Sequence, residues 1–297
     1  MPEVSALLLS LLSAFLWGTY CNPLKHLRSF SPWQFSNDLL LGGLLLSWAS
    51  FGLGGDGRWG PEVALPLLSG VIWAAGNYAG LRAVRELGLA YSYSFLNLSA
   101  AVAFLWGILL FREMGVGPPL ALASLGLMLM LLGAFVLAES LEERGKKKGV
   151  RWGVLGALCF GTFGGAGVAA SLDAGISPLQ YCALVAVGAW TVYFLRSLLA
   201  GDLLPWLRGE GREHGLGLLA GLLWMGGNLL NFSAAPSLGV AVAFPLGTAS
   251  TVVAVLWGVL YYREFGELGR GARARAVLGI LLVVLGVAGL GAARILA

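Results

Sequence analysis

Few residues in this chain have side chains that could do chemistry, and most of those stand where hydrocarbon is expected. Asp38 lies in an otherwise apolar run six residues past Pro32, about 9 Å along a helix that rises 1.5 Å per residue. An ionisable group inside a bilayer is costly, which makes it a candidate for function, and a buried carboxylate can take up and release a proton. Asp38 therefore has two readings, a proton-coupling group or the partner of Lys25 or Arg28 near the end of its helix.

Neutral polar residues form the larger set. Asn77, Asn97, Asn228, Asn231, Thr162, Thr248, Gln34 and Gln180 fall within or at the edges of apolar runs. There an amide or hydroxyl either bonds a neighbouring helix or faces a wet cavity. Tyr93 and Asn97 are four apart and share a helical face, and a ring beside an amide suits a polyhydroxylated ligand. Tyr91 reads as a headgroup-region anchor. Pro245 stands mid-segment in Phe244-Pro245-Leu246-Gly247-Thr248, and Trp17-Gly18 is followed by Asn22-Pro23. Proline frees a backbone carbonyl, and freed groups are tolerated in a membrane where they line a cavity or find polar neighbours. The expected substrate contacts are thus Trp17, Asn22, Asn77, Tyr93, Asn97, Thr162, Asn228, Asn231 and Thr248, with helix breaks at Pro23 and Pro245 and proton coupling at Asp38. Packing kinks and helix bridges are the alternative uses of the same residues.

Catalysis has no such set. His26 and His214 both fall in expected loops, and neither HExxH, GxSxG nor GxxxxGK[ST] is present, so no enzyme, cofactor or metal is expected. Cys21, Cys159 and Cys182 have no paired spacing and read as small core residues. Nothing points to nucleic acid.

The elements that must position these residues follow from composition. Of 297 residues 58% are hydrophobic and 11% charged, too few polar groups to cover a soluble globule. Runs of roughly 20 apolar residues, the length needed to span a bilayer, are predicted at 4–21, 33–53, 63–81, 89–111, 118–138, 151–171, 178–199, 215–233, 238–262 and 275–295. Leu120–Ala138 is apolar except for Ser124, which excludes the alternation of an outer-membrane barrel. The first run lacks a basic leader and a cleavage site and reads as a retained helix. The expected fold class is an all-α membrane protein of ten transmembrane helices.

The chain also repeats. An offset of 151 residues lays Trp73–Glu113 on Trp224–Glu264 with identities at Trp73/Trp224, Gly76/Gly227, Asn77/Asn228, Ser99/Ser250, Trp106/Trp257, Arg112/Arg263 and Glu113/Glu264. Upstream, Trp17-Gly18-Thr19-Tyr20 matches Phe160-Gly161-Thr162-Phe163, and Ser31-Pro32-Trp33-Gln34-Phe35 matches Ser177-Pro178-Leu179-Gln180-Tyr181. Two five-helix repeats, 1–138 and 151–297, are joined by a charged linker at 139–150, which reads as a solvated loop or a contact for anionic membrane lipid. Five spans per copy is an odd number, so the second copy must be inverted, an arrangement used by transporters. Loops after the odd segments hold 16 of the 19 basic residues, so those loops are expected inside the inner (plasma) membrane and both termini outside. The stripe Gly153, Ala157, Gly161, Gly165 reads as packing; Gly126, Gly133, Gly279, Gly286 and Gly289 could pack a homodimer or one another. Arg112-Glu113 and Arg263-Glu264 read as helix terminators or gating ion pairs.

The repeat, the Trp-Gly-Thr-Tyr at 17–20 and the two Arg-Glu pairs together resemble the drug/metabolite transporter superfamily. Trp17–Tyr20 with Asn22-Pro23-Leu24-Lys25, and Ser31–Phe35, look most like its rhamnose-proton symporter and glucose/ribose porter branches. The resemblance implies secondary transport of a small polar metabolite, a sugar first among them, by alternating access, with substrate held near the midplane between segments 1, 3, 4, 6, 8 and 9. Segments 6 to 9 depart from the sugar branches, which leaves export of amino acids, nucleobase-like compounds or drugs as the alternative.

Overall fold

The computed structural model describes residues 2–87, 92, 95–139, 147–257, 261–262 and 269–297. Among them the chain is all helical, with no strand. The helices are α1 (Glu3–Thr19), α2 (Pro32–Gly54), α3 (Ala64–Leu87), α4 (Ser99–Leu105, prolonged by a wider turn over Trp106–Leu110), α5 (Pro118–Glu139) and α6 (Lys147–Thr162). A wide turn at Phe163–Gly167 leads into α7 (Val168–Asp173), followed by α8 (Pro178–Leu199), the short α9 (Leu203–Leu207), α10 (Gly211–Leu238), α11 (Val240–Thr248), α12 (Ser250–Leu256) and α13 (Arg270–Ile295).

Among the described residues seven stretches are long and apolar enough to cross a membrane: Glu3–Leu24, Pro61–Leu87, Pro118–Leu137, Gly149–Asp173, Pro178–Leu199, Gly211–Leu238 and Arg270–Ile295. Ser99–Leu110 and Val240–Ala254 are apolar but shorter. α2 has 23 residues and carries Gln34, Asn37 and Asp38 in its first two turns. The chain is a multi-pass membrane protein.

Residue size sorts the surfaces. α1 buries Ala6, Ser10, Ser13, Ala14 and Gly18 and exposes Leu8, Leu11, Leu12 and Phe15. α13 buries Ala276, Gly279 and Gly286 and exposes Val277, Leu278, Leu281, Val284 and Leu285. Lipid solvates large apolar side chains as well as a protein core does, so helices associate through small residues that let backbones meet. A Cβ on Gly126 would stand 2.8 Å from the Gly286 carbonyl, and one on Gly133 2.6 Å from that of Gly279. These glycines, with Gly289 against Gly126, thus join α5 to α13 within one chain.

Most of the close packing joins helices before residue 139 to helices after 147. α3 lies on α6 and α8, and α4 on α6; α1 and α2 lie on α10, and α1 also on α11 and α12. Two four-part groups result, α3/α4/α6–α7/α8 and α1/α2/α10/α11–α12, which meet mainly where α2 crosses α8 and α4 crosses α11. Contacts recur at repeat-related positions. Gly18 faces Val253 and the Ser250 carbonyl, as Gly161 faces Val102 and the Ser99 carbonyl. Gly42 faces the Leu218 carbonyl as Gly188 faces that of Leu67, and Trp257 Nε1 donates to Thr19 Oγ1 as Trp106 Nε1 donates to Thr162 Oγ1.

Several boundaries differ from those predicted. α1 runs unbroken through Trp17-Gly18; the interruption comes after it, where Asn22–His26 form a tight turn with Pro23 in its first positions. α10 extends beyond 215–233 at both ends, so His214 lies in its first turn and not in a loop. The ninth apolar run begins only after Gly239, whose φ of +76° is a left-handed conformation that favours glycine. Glu113 closes that junction by accepting from the Val240 and Ala241 amides at 2.9 and 2.8 Å, a helix cap rather than an ion pair. Glu264 and Arg263 lie outside the described residues.

Two glycines on one helix test the packing. A Cβ on Gly42 would stand 2.4 Å from the Leu218 carbonyl oxygen, whereas one on Gly52 meets nothing within 4 Å. Gly42→Ala is expected to cost about 1–3 kcal/mol, as overpacking does, and to lower the unfolding temperature in detergent; Gly52→Ala is expected to leave it unchanged or higher.

Candidate functional site

Between the two helix groups lies a cavity of about 210 Å³. Its centre is a contact between two indoles, Trp73 on α3 and Trp224 on α10, with ring centroids 4.5 Å apart. Each is followed four residues later by an asparagine on the same helical face, Asn77 and Asn228, and all four line the cavity. Trp17, Phe35, Phe160, Phe163 and Phe244 add aromatic wall, and Ser36, Asn97, Ser99, Thr248 and Ser250 add polar groups. No Asp, Glu, Lys, Arg or His is among the described lining residues.

The amides are not equivalent. Asn77 Nδ2 donates to Tyr193 Oη at 2.5 Å and, more weakly, to Ser36 Oγ at 3.4 Å. Asn97 Nδ2 donates to Thr251 Oγ1 at 2.7 Å, and Thr248 Oγ1 donates to the Pro245 carbonyl at 2.7 Å. Asn228 is 1% exposed, and neither its amide nitrogen nor its amide oxygen has a partner. Leaving a buried polar group unpaired costs about 1–3 kcal/mol, so Asn228 holds unspent donor and acceptor capacity at the cavity wall.

Of the other expected contacts, Trp17 lines the cavity while its Nε1 donates to the Trp224 carbonyl at 3.2 Å. Pro245 is buried in α11 beside the lining residues Phe244 and Thr248. Thr162 accepts from Trp106 and stands outside the lining, as do Asn22 and Pro23 in the turn after α1. Asn231 Nδ2 donates to Ser13 Oγ at 3.1 Å and to the Ala243 carbonyl at 2.7 Å, tying α10 to α1 and α11 away from the cavity. Tyr93 lies outside the described residues. Trp73 and Trp224 were not among the expected contacts: as repeat identities they mark duplication, and their i, i+4 spacing from Asn77 and Asn228 is the signal that places them on the same helical faces.

Asp38 also stands outside the lining, buried on the α2–α10 seam, where Gly217 leaves room for it. Its carboxylate faces His214 Nδ1 at 2.9 and 3.1 Å and accepts from Trp206 Nε1 at 3.0 Å. The partner is thus His214 and not the expected Arg28, whose backbone amide serves Glu213; the Lys25 side chain lies outside the described residues. Next to it, the fully buried Glu213 carboxylate accepts from the Arg28, Ser29 and Phe30 amides at 2.7–3.0 Å. The first turn of α10 therefore grips both the loop before α2 and α2 itself.

Among the described residues the cavity is lined toward one end of the bundle. Tyr20, Cys21 and Leu24 after α1, the exposed Pro32 at the start of α2, and Gly80 and Leu81 late in α3 line it there. At the other end it stops at the buried rings of Phe163 and Phe244.

A model of the sugar transport protein family matches residues 40–139 and 150–293, most of the chain. The glucose uptake protein GlcU of Bacillus subtilis (strain 168) is 23% identical over 244 residues, covering 77% of this chain and 78% of its own. The putative sugar uptake protein lin0215 of Listeria innocua is 21% identical over 286 residues, covering 94% and 96%. A solved structure, described only as a crystal structure of a protein, superposes with a TM-score of 0.76 at 17% identity over 99% of both chains, which establishes a shared fold. The relatives are named for uptake rather than for catalysis.

Thiol chemistry reads the cavity's opening directly. Cys21 lines it and is part-exposed, whereas Cys182 is buried. With each kept in turn as the one thiol, Cys21 is expected to react with a membrane-impermeant maleimide added on the side of the 20–31 loop and to stay unlabelled from the opposite side, and Cys182 to react only after denaturation.

Proposed function

This chain belongs to the sugar transport protein family, and from that premise we propose that it is a secondary carrier moving an uncharged sugar across the membrane by alternating access. The observation that carries the reading is Asn228: an amide with a free donor and a free acceptor at the wall of a cavity whose described lining is aromatic and carries no charged side chain. A sugar offers what such a wall takes, apolar ring faces for indole and phenyl surfaces and hydroxyls that donate and accept at once. The alternative substrates include amino acids, which carry a carboxylate and an ammonium; the described lining residues offer those charges no ionic partner, and burying them unpaired is costly.

The fold proposed for this carrier is ten spans in two inverted five-helix repeats, residues 1–138 and 151–297 about a 139–150 linker, as in the drug/metabolite transporter superfamily. The repeat-related contacts of Gly18 with Gly161, of Gly42 with Gly188 and of the two Trp–Thr bonds support it, as does the basic-residue asymmetry. On that asymmetry the cavity opens to the cytoplasm and both termini lie outside the inner membrane.

Proton coupling is proposed at Asp38, which would act through the position of α2, since it pairs with His214 and does not reach the substrate cavity. In proteoliposomes, Asp38→Asn is expected to keep sugar counterflow and lose sugar-driven proton movement; retained proton movement makes Asp38 a strut alone. For the substrate itself, counterflow is expected with labelled glucose or a related neutral sugar and not with amino acids. Asn228→Ala removes two hydrogen bonds worth about 0.5–1.5 kcal/mol each, so half-saturation is expected to rise roughly tenfold. Exchange of amino acids without sugar would overturn the reading.

A further inference from the structure

Beyond the cavity, on the side away from the 20–31 loop, four aromatic side chains fill the gap between the two helix groups. Phe163 and Tyr181 come from the α3/α4/α6–α7/α8 group, Phe232 and Phe244 from the α1/α2/α10/α11–α12 group. All are at most 4% exposed. Across the divide, the Phe232 ring centroid stands 5.4 Å from both Phe163 and Tyr181, edge to face in each case. Trp17 closes the cluster with centroids 5.8 Å from Phe244 and 6.5 Å from Phe232. The Phe244 ring lies where a side chain on Gly164 would be, 2.0 Å from its missing Cβ, and Tyr181 Oη donates to the Phe163 carbonyl at 2.7 Å. Such edge-to-face contacts add about 0.5–1.5 kcal/mol each beyond the area they bury.

The repeat gives each of these residues a counterpart. Phe163 matches Tyr20, Tyr181 matches Phe35, Phe232 matches Leu81, and Phe244 matches Tyr93. Three of the counterparts, Tyr20, Phe35 and Leu81, line the cavity at its open end; Tyr93 is outside the described residues. The first set is therefore interlocked by ring contacts across the two groups, and the described members of the second line the cavity where it reaches the end of the bundle. An inverted pair of repeats has two forms of this kind, which exchange the packing of the two sets.

We infer that Phe163, Tyr181, Phe232 and Phe244 are the closed barrier of the carrier and that Tyr20, Phe35 and Leu81 belong to the opposite barrier, held here in its open position. The inference rests on the transport reading and deepens it by naming the residues that part and meet. The two groups tilt about the Trp73–Trp224 contact and the α2–α8 crossing, so that each cycle separates Phe232 from Phe163 and Tyr181 and brings Leu81 toward Tyr20 and Phe35. Trp17 stays with Phe232 and Phe244, because all three belong to the same group.

Disulfide trapping tests both halves of the inference in a background free of native cysteines. Oxidised Phe163→Cys/Phe232→Cys is expected to lose sugar exchange and recover it on reduction, because the barrier can no longer part. Tyr20→Cys/Leu81→Cys is expected to cross-link faster when the sugar is supplied on the side opposite the 20–31 loop, and then also to stop exchange. As a check that does not depend on cysteine pairs, Phe232→Leu, with Cys21 restored as the one thiol, is expected to become labelled from the opposite side. Full exchange by the oxidised Phe163/Phe232 pair, or Cys21 labelling from that side that stays absent in Phe232→Leu, overturns the barrier assignment. A cysteine-free parent that exchanges no sugar sinks the transport reading instead, while the labelling result still decides the barrier.

Discussion

Everything in this structure depends on how helices hold together in a solvent that is itself apolar. Hydrocarbon gives leucine no reason to leave it, so association is left to backbone proximity and to hydrogen bonds made inside the protein. The chain accordingly puts glycine, alanine and serine where helices meet closely, and leaves many of its leucines exposed to lipid beside a buried set of larger side chains. Close approaches at Gly18, Gly42, Gly126, Gly133, Gly161 and Gly188 set where every long helix sits, and the cavity is the space these approaches leave between the two groups.

The same solvent makes unpaired polar atoms expensive, and the molecule pairs its buried carboxylates well. Glu113 and Glu213 are sealed by backbone amides, and Asp38 by an imidazole and an indole. Their charges are thereby kept at helix ends and seams, away from the cavity. Against that background Asn228 is conspicuous because its two amide atoms are idle while the repeat-related Asn77 is engaged by Tyr193 and Ser36. An otherwise symmetric pair has been given one occupied and one vacant member.

Much of this was legible before any coordinates. Runs of twenty apolar residues have few folded solutions, so the helical segments, the small-residue stripe at Gly153–Gly165 and the asparagines at the cavity could be read from residue type and spacing. Less legible were partners far apart in sequence. Nothing near Thr162 or Asn231 in the chain indicates that they serve Trp106 and Ser13, and so both looked like ligand contacts. His214 was assigned to a loop because α10 outlasts its apolar stretch: Arg212, Glu213 and His214 are polar yet helical, and the turn they form reaches Asp38. The indole pair was seen as evidence of duplication only, because a repeat identity says that two positions are related and not that they touch.

The interleaving of early and late helices bears on how such a chain is made. While the ribosome is still at the residue-140 region, α1 to α5 have little to pack on except one another, and the extensive contacts they are built for belong to segments not yet synthesised. The serines, asparagines and glycine grooves of the first half must wait in the bilayer, shielded by the insertion machinery or by water, until their complements arrive. The helices before residue 139 and those after 147 are therefore not two folding units: the two mixed bundles and the α5–α13 pair are all completed by late segments.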